Sequence, residues 1–321
     1  MIEKQILSIF PHKYRHLALK LNAIIKNPRL WKHWNCEFAI EDNPILLVSM
    51  PRSGSSWLGE VLAQSSSIRY LREPITSVYM KSAFKPVSFF SPGKCMNHIV
   101  HEQAVTNAFT AKLNYFNGVI HNKADWLDPK KKRKLLIKEI NPLYLDYFQS
   151  KFDIRVIYLE RCPYAIAKSF DALNWRSEEL FSRRFDSYTL EKLNTIKDDL
   201  FEQCFYFQMG FLQGVIRAIV EPSLKLSNSI QVSYENLILD TKAEFKKVAD
   251  FLSIENMREL TDYVEESFSD SKSTELGSFS TKRNKQQLID RIEKNKLEKE
   301  YSITLQAYEL GFNGYKNYND D

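Results

Sequence analysis

The chain has 321 residues, of which 44% are hydrophobic, so it can bury the core of one sizeable α/β domain. Lysine and arginine exceed aspartate and glutamate, 45 against 40, which suits an anionic ligand but falls well short of the charge typical of nucleic-acid-binding proteins. The four cysteines are widely spaced, which argues against a disulfide framework and favours a reducing compartment. No repeat or glycine-rich linker divides the chain, so we predict a single domain.

The N-terminal segment is basic and amphipathic. Lys, Arg or His interrupts residues 1–27 every few positions, so they lack the apolar core of a signal peptide. No stretch of the chain approaches the roughly 20 apolar residues that a membrane span needs. Apolar residues between Ile2 and Leu30 recur with helical spacing, which predicts one or two amphipathic helices. Such a face either contacts an anionic membrane or packs against the protein, and the sequence leaves both alternatives open.

The segment Ile45–Leu58 predicts a buried strand, a turn and the start of a helix. The apolar run ILLVS stops at a turn rich in small hydroxyl residues, and the following SSWLGEVL has helical spacing. This order directs backbone N–H groups and the helix dipole at one point, where a phosphate can bind. Ser55 stands where an NTPase P-loop has its lysine, so the loop is poorly suited to nucleoside triphosphate hydrolysis.

The sequence PRSGSSWL at Pro51–Leu58 resembles the 5'-phosphosulfate loop of sulfotransferases, most closely the RSGSS form of the carbohydrate-directed enzymes. Those enzymes use 3'-phosphoadenosine 5'-phosphosulfate (PAPS) as donor and release 3'-phosphoadenosine 5'-phosphate (PAP). The resemblance implies donor-binding roles for Pro51, Arg52, Ser53, Gly54, Ser55, Ser56 and Trp57. Taken alone, the motif could also be an ordinary serine-rich turn between a strand and a helix.

Glu73 is the first candidate for a catalytic base. Residues 68–71 predict a second strand, and Pro74 predicts the start of a helix. Glu73 would therefore lie at the carboxyl end of a strand, the edge where open α/β sheets place their chemistry. In the resembled carbohydrate sulfotransferases a Glu-Pro pair follows the second strand, and its glutamate is taken as the base. The alternative is a surface glutamate beside a helix start.

A Cys/His pattern and a basic run lie between Lys81 and Lys134. Cys95, His98 and His101 are spaced by threes, but a structural zinc site needs four ligands and no second pair lies nearby, so we predict no metal. The basic run Lys130–Lys134 is typical of nuclear signals and nucleic-acid patches. We favour a solvated loop instead, because the run continues directly into a strand pattern, LLIKEI.

Lys138 and Glu139 end the predicted third strand. Bacterial sulfotransferases are similar at this point, with a K-E or K-D pair at a strand end. A cation here could contact the transferring sulfonate or the leaving phosphate oxygen, which makes Lys138 a second catalytic candidate. The alternative is a surface lysine paired with Glu139, and Glu139 is also the rival to Glu73 as base.

An alternating strand that begins near Ile154 ends at Arg161, and Pro163 predicts the next helix. This strand end resembles the 3'-phosphate-binding motif of sulfotransferases, in which an arginine at the strand end and a serine two turns into the helix bind the phosphate on the ribose. Arg161 and Ser169 match that motif. Cys162 stands where Asp or Asn is usual, and Tyr164 where Arg is frequent.

Residues 173–220 are predicted to be mostly helical. Their aromatic residues at helical spacing predict core packing, and we expect acceptor contacts in the exposed part, residues 175–184. The element YENL at Tyr234–Leu237 is another mark of the family, expected to be mainly structural. The family closes its donor site with a loop from the region near residue 283, so the resemblance implies that Arg283 reaches the 3'-phosphate.

Together these features predict a PAPS-dependent sulfotransferase with a P-loop-like α/β fold, a parallel sheet flanked by helices with helical insertions. We expect a helical extension over residues 1–40, a core over 45–255 and a C-terminal helical part with the donor-site loop over 256–321. Glu73, Lys138 and Arg52 would act in catalysis without a metal. The expected enzyme is soluble and cytoplasmic, does not bind nucleic acid, and acts on a hydroxyl of a glycan or glycolipid. The alternatives are a kinase-like nucleotide-binding enzyme and a basic binding module without catalysis.

Overall fold

A five-stranded parallel sheet forms the centre of the protein in a computed structural model that describes residues 14, 18, 21–22, 24–76, 99–114, 119–269 and 284–320. The strands are β1 (Ile45–Ser49), β2 (Ile68–Arg72), β3 (Lys134–Glu139), β4 (Arg155–Glu160) and β5 (Ser229–Ser233). They pair in the order β2-β3-β1-β4-β5, all parallel. The predicted fold class, a parallel sheet flanked by helices, is confirmed.

Helices connect and cover the strands. The α-helices are α1 (Pro28–Trp31), α2 (Ser55–Leu62), α3 (Ile99–Phe109), α4 (Leu145–Lys151), α5 (Pro163–Asp171), α6 (Ser177–Arg184), α7 (Ser187–Ile196), α8 (Phe205–Leu224), α9 (Tyr234–Leu239), α10 (Thr241–Leu252), α11 (Met257–Ser269), α12 (Lys285–Asn295) and α13 (Lys299–Asp320). Short 3₁₀ turns cover Lys123–Trp126, Pro142–Tyr144 and Leu200–Glu202. A helical turn also begins at Pro74, directly after β2, as predicted.

Both faces of the sheet are buried, as parallel sheets require. On one face, Leu46 and Val48 of β1 pack in a core that includes residues of α3, α4 and the end of α8. On the other face, Leu47 packs in a second core with residues of α2, α9, α10 and α11. A third core lies between α5, α8 and α13. Because successive residues of a strand point to opposite faces, each of β1 to β4 contributes to both of the first two cores, whereas β5 contributes Val232 to the second core.

The strand order places β1 in the middle, between β3 and β4. The chain leaves β1 towards the β2–β3 side of the sheet and later returns to its other side for β4 and β5. Open parallel sheets bind ligands at the carboxyl ends of strands around such a change of direction. The loop at Pro51–Gly54, directly after β1, lies at this position.

Parts of the sequence predictions fall outside the described residues. These are most of the N-terminal amphipathic segment, the zinc candidates Cys95 and His98, and the donor-loop residue Arg283. Within the described ranges, none of the helices combines the length and apolar character that crossing a membrane requires. The basic run divides in two: residues 130–132 are exposed, whereas Lys134 is buried as the first residue of β3.

Candidate active site

The loop after β1 adopts a left-handed backbone at two positions. Arg52 has φ 70° and Gly54 has φ 94°. Only glycine adopts that conformation without cost, and a Cβ atom at Gly54 would also overlap the ring of Tyr234. Gly54 then precedes α2, so the loop leads directly into a helix N-terminus. The geometry needed to present backbone N–H groups to an anion therefore depends on this glycine.

Hydroxyl groups line the interior of the loop. Ser49 Oγ lies 2.8 Å from Ser55 Oγ, and it donates to the carbonyl of Met50 at 2.9 Å. Ser53 is buried, and its Oγ has no hydrogen-bond partner among the residues that the structure describes. A buried hydroxyl without a partner is costly unless a ligand satisfies it. The loop thus fits a phosphate or sulfonate oxygen at Ser53.

Lys138 joins the loop to Glu73. Its Nζ forms an ion pair with Glu73 Oε1 and donates to Ser56 Oγ at 3.2 Å. The lysine side chain is buried, whereas that of Glu73 is 27% exposed. Burial lowers the pKa of Lys138, although the charge of Glu73 acts in the opposite direction. Two of the predicted catalytic residues therefore meet beside the loop, and Glu73 stays accessible to an acceptor.

Glu73 has a left-handed backbone, φ 52°, which is uncommon for a residue with a side chain. Its N–H donates to the carbonyl of Lys138 at 2.7 Å, so the end of β3 supports the turn that follows β2. Strained backbone of this kind costs about 1–3 kcal/mol and clusters at functional sites. The structure thus contains an unusual conformation at the residue predicted to be the base.

Glu139, the rival base, points to the other side of the turn. Its carboxylate accepts hydrogen bonds from the N–H of Ile75 at 2.7 Å and the hydroxyl of Thr76 at 2.6 Å. The Thr76 N–H also lies 3.4 Å from both carboxylate oxygens. Complete burial raises the pKa of Glu139 to about 7, even though the hydrogen bonds from Thr76 and Ile75 oppose that rise. Both of its oxygens accept hydrogen bonds from the turn, whereas the Glu73 carboxylate, although paired with Lys138, is partly exposed.

The predicted 3'-phosphate residues meet on the other side of the loop. Arg161 donates to the carbonyl of Arg52 at 2.7 Å, and its guanidinium lies 4.6 Å from the centre of the Tyr234 ring. Arg52 Nε donates to Ser169 Oγ at 2.9 Å. Arg161 Nε is buried and has no hydrogen-bond partner in the described part of the chain. Arg52 therefore contacts both Arg161, through its carbonyl, and Ser169, through its guanidinium.

Trp57 and Glu235 support this region from within. The Trp57 indole is buried, donates to Ser267 Oγ at 3.1 Å and packs edge-on against Tyr234. Glu235 accepts a hydrogen bond from the N–H of Cys162, the residue after Arg161, at 3.1 Å. The first two residues of the YENL element therefore contact helix α2, which follows the loop, and the segment that begins at Arg161.

The region expected to contact the acceptor is only partly exposed. Trp175 is 38% exposed and packs edge-on against Phe170. Leu180 and Phe181 are buried in the third core, and Ser177 and Arg184 are buried as well, whereas Trp175, Arg176, Glu178 and Ser182 are exposed. Within the described ranges, no three His, Cys, Asp or Glu side chains are grouped as metal ligands would be.

Sequence reasoning missed three contributors to the site. Thr76 has no motif of its own, and Tyr234 and Glu235 were expected to be structural. The spacing in YENL contained a usable signal, because a Tyr-Glu pair directly after β5 must lie at the same sheet edge as the loop. Nothing in the sequence identifies Thr76, since its role depends on the direction of Glu139.

Comparison with known proteins identifies the family. The family description "Sulfotransferase domain" matches residues 42–302. The sulfotransferase domain from the curacin biosynthetic pathway is 17% identical, with a TM-score of 0.40 and coverage of 79% of this chain and 99% of that one. Mouse sulfotransferase SULT7A1 complexed with PAP is 14% identical, with a TM-score of 0.38 and coverage of 95% and 96%. Sulfotransferase STF9 from Mycobacterium avium is 11% identical, with a TM-score of 0.41 and coverage of 90% and 84%. A search of curated proteins finds no match.

The strand order and the loop between β1 and α2 define a P-loop-like α/β protein. Because the domain match covers most of the chain, the protein belongs to the sulfotransferase family and is an enzyme that transfers a sulfonate group. The structural likenesses are weak, so the assignment rests on the domain match. Enzymes of this family use PAPS and release PAP. The predicted enzyme class is confirmed, and the kinase-like and non-catalytic alternatives are set aside.

Proposed function

We propose that the protein transfers the sulfonate of PAPS to a hydroxyl group of a carbohydrate or glycoconjugate, with Glu73 as the base. The observation that carries this proposal is the chain of contacts from Ser56 through Lys138 to Glu73. It places a proton acceptor and a cation beside the loop suited to the donor's charged groups. The RSGSS motif and the Glu-Pro pair after β2, both typical of carbohydrate-directed enzymes, support the acceptor class.

The bound donor supplies an activated sulfonate and a phosphate leaving group. The acceptor oxygen forms the new S–O bond, and its proton passes to Glu73. The bond between the sulfur and the bridging phosphate oxygen breaks, and PAP leaves with its electron pair. Lys138 stabilises the negative charge near the loop, and its burial strengthens that effect because few water molecules screen it. The scheme needs no metal ion, since the lysine, the arginines and the helix dipole provide positive charge.

On the 3' side of the donor, we propose that Arg161, Ser169 and Arg52 bind the phosphate on the ribose. Two observations support this role. The buried Nε of Arg161 has no hydrogen-bond partner among the described residues, and Arg52 contacts Ser169. Arg52 would then bind the 3'-phosphate of the donor as well as the 5'-phosphosulfate at the loop. The predicted role of Arg283 remains an expectation, because the residue lies outside the described ranges.

The test is Glu73→Gln, which keeps shape and removes the proton acceptor. Transfer of labelled sulfonate from PAPS to a panel of glycans, glycolipids and phenols is measured, together with PAP affinity by calorimetry. We expect PAP affinity to hold while kcat falls by about 100- to 10,000-fold. Near-normal turnover in Glu73→Gln would show that the base is elsewhere. Transfer to phenols but not to any glycan would contradict the acceptor class while leaving the sulfotransferase assignment intact.

A further inference from the structure

The last two residues of β3 hold the turn after β2 from opposite faces of the sheet. Lys138 pairs in register with Leu47 of the second core, whereas Glu139 pairs with Val48 of the first core. Lys138 accordingly reaches Glu73 from one side of the sheet, and Glu139 reaches the helical turn at Ile75 from the other. The segment that carries the proposed base is therefore fixed at both ends.

Burying the carboxylate of Glu139 costs free energy. A buried carboxylate loses its hydration, and burial raises its pKa to about 7. Among the residues that the structure describes, the N–H of Ile75 and the N–H and hydroxyl of Thr76 donate the hydrogen bonds that offset this loss. The segment it supports contains Glu73, whose left-handed backbone persists only if its surroundings hold it in place. The direct contacts of Glu139 are thus with the two residues that determine the path of the chain after the proposed base.

We propose that Glu139 is a positioning residue that holds the backbone after Glu73 and so keeps the Glu73 carboxylate beside Lys138 and the loop. The inference rests on the proposed role of Glu73 as base. Glu139 itself takes no part in proton transfer. Its loss lets the turn relax towards an ordinary backbone, which displaces the Glu73 carboxylate from Lys138. A displacement of about 1 Å is enough to lower the rate by up to about 100-fold.

Three variants test the proposal. Glu139→Gln replaces the acceptor pair with an amide, Thr76→Val removes the hydroxyl donor with little change in shape, and Glu41→Gln is the matched control. Glu41 contacts Lys134 at 3.1 Å, at the opposite end of the same strand, so it reports on the loss of a carboxylate far from the site. For each variant, kcat, the KM for donor, PAP affinity and the melting temperature are measured.

We expect kcat to fall about 10- to 100-fold in Glu139→Gln, and less in Thr76→Val, with PAP affinity and donor KM unchanged. A fourth variant that combines Glu139→Gln with Thr76→Val should lose little more than Glu139→Gln alone, because both changes break the same contact. Glu41→Gln should retain wild-type kcat. A drop in kcat accompanied by equal losses of PAP affinity in Glu139→Gln would indicate general damage to the fold and overturn the proposal, as would an unchanged kcat.

Amide hydrogen exchange tests the contact without relying on activity. The Ile75 and Thr76 amides should exchange about tenfold faster in Glu139→Gln than in the wild type or in Glu41→Gln. Unchanged exchange would overturn the positioning role. If the wild type transfers sulfonate but Glu73→Gln is fully active, the proposed base fails while the exchange result still reports whether Glu139 holds the turn. The two failures are therefore distinguishable.

Discussion

Lys134 and Lys138 lie at opposite ends of β3, both buried, in contrasting surroundings. Burial lowers the pKa of Lys138 despite its ion pair with Glu73. Burial also acts against the charge of Lys134, but hydrogen bonds to Asp42 at 2.8 Å and Glu41 at 3.1 Å outweigh it and raise the pKa. At neutral pH the charged form of Lys138 therefore costs stability, whereas that of Lys134 contributes stability.

The matched substitutions Lys138→Met and Lys134→Met should separate activity from stability. Lys138→Met removes a buried charge whose carboxylate partner is 27% exposed and can be hydrated, so the free energy of unfolding should stay the same or rise by about 1 kcal/mol or more. Its kcat should fall about 100- to 1,000-fold, the typical cost of one charge-stabilising donor. Lys134→Met should lower the free energy of unfolding by about 1–2 kcal/mol, a value discounted because the Glu41 and Asp42 side chains are 44% and 43% exposed, and it should keep its kcat.

The assay combines urea unfolding, followed by tryptophan fluorescence, with transfer of labelled sulfonate from PAPS. Both variants are compared with the wild type at pH 7.5, where both lysines bind their proton in the unfolded chain. If Lys138→Met unfolds several kcal/mol more easily than Lys134→Met and keeps its turnover, the lysine is a structural tie. The assignment of catalytic charge to Lys138 would then be wrong.

Three further predictions concern the rest of the fold. Arg161→Met should weaken PAP binding about 10- to 100-fold in calorimetry while leaving AMP affinity nearly unchanged, and equal losses for both ligands would refute a 3'-phosphate role. Because the pKa of Glu139 is raised from 4.5 to about 7, its contribution to stability is greatest below pH 4.5 and is lost as the pH rises to about 7. Relative to Glu139→Gln, the wild type should therefore lose up to about 3 kcal/mol of unfolding free energy over that window, and parallel curves would contradict the raised pKa. Gly214→Ala would push a Cβ atom of α8 into the backbone of Tyr308 on α13 and should cost about 1–3 kcal/mol in urea unfolding, where an unchanged midpoint would show that the helices can separate.

The sequence alone identified the parallel sheet, the loop after β1 and the strand-end residues Arg161 and Lys138. Buried parallel strands are continuous apolar runs, and each run stops where the chain reaches the ligand edge, so the polar residues at the stops mark the site. The same rule placed Glu73 at that edge, and the preference of proline for the first turn of a helix located the helix start at Pro74. These features are local, and the chain's own order of apolar and polar residues was enough to predict them.

Side-chain direction was decided only by the tertiary structure. The sequence could not show that Lys138 reaches both Ser56 and Glu73, or that Arg52 turns to Ser169, because these partners come from segments distant in the chain. Nor could it distinguish the two neighbours Lys138 and Glu139. Consecutive strand residues face opposite sides of the sheet, and which side holds the loop depends on how α2 and the turn at Pro74 pack against it. That packing brings Lys138 to Ser56 and Glu73, and it brings Glu139 to the backbone of the turn after β2.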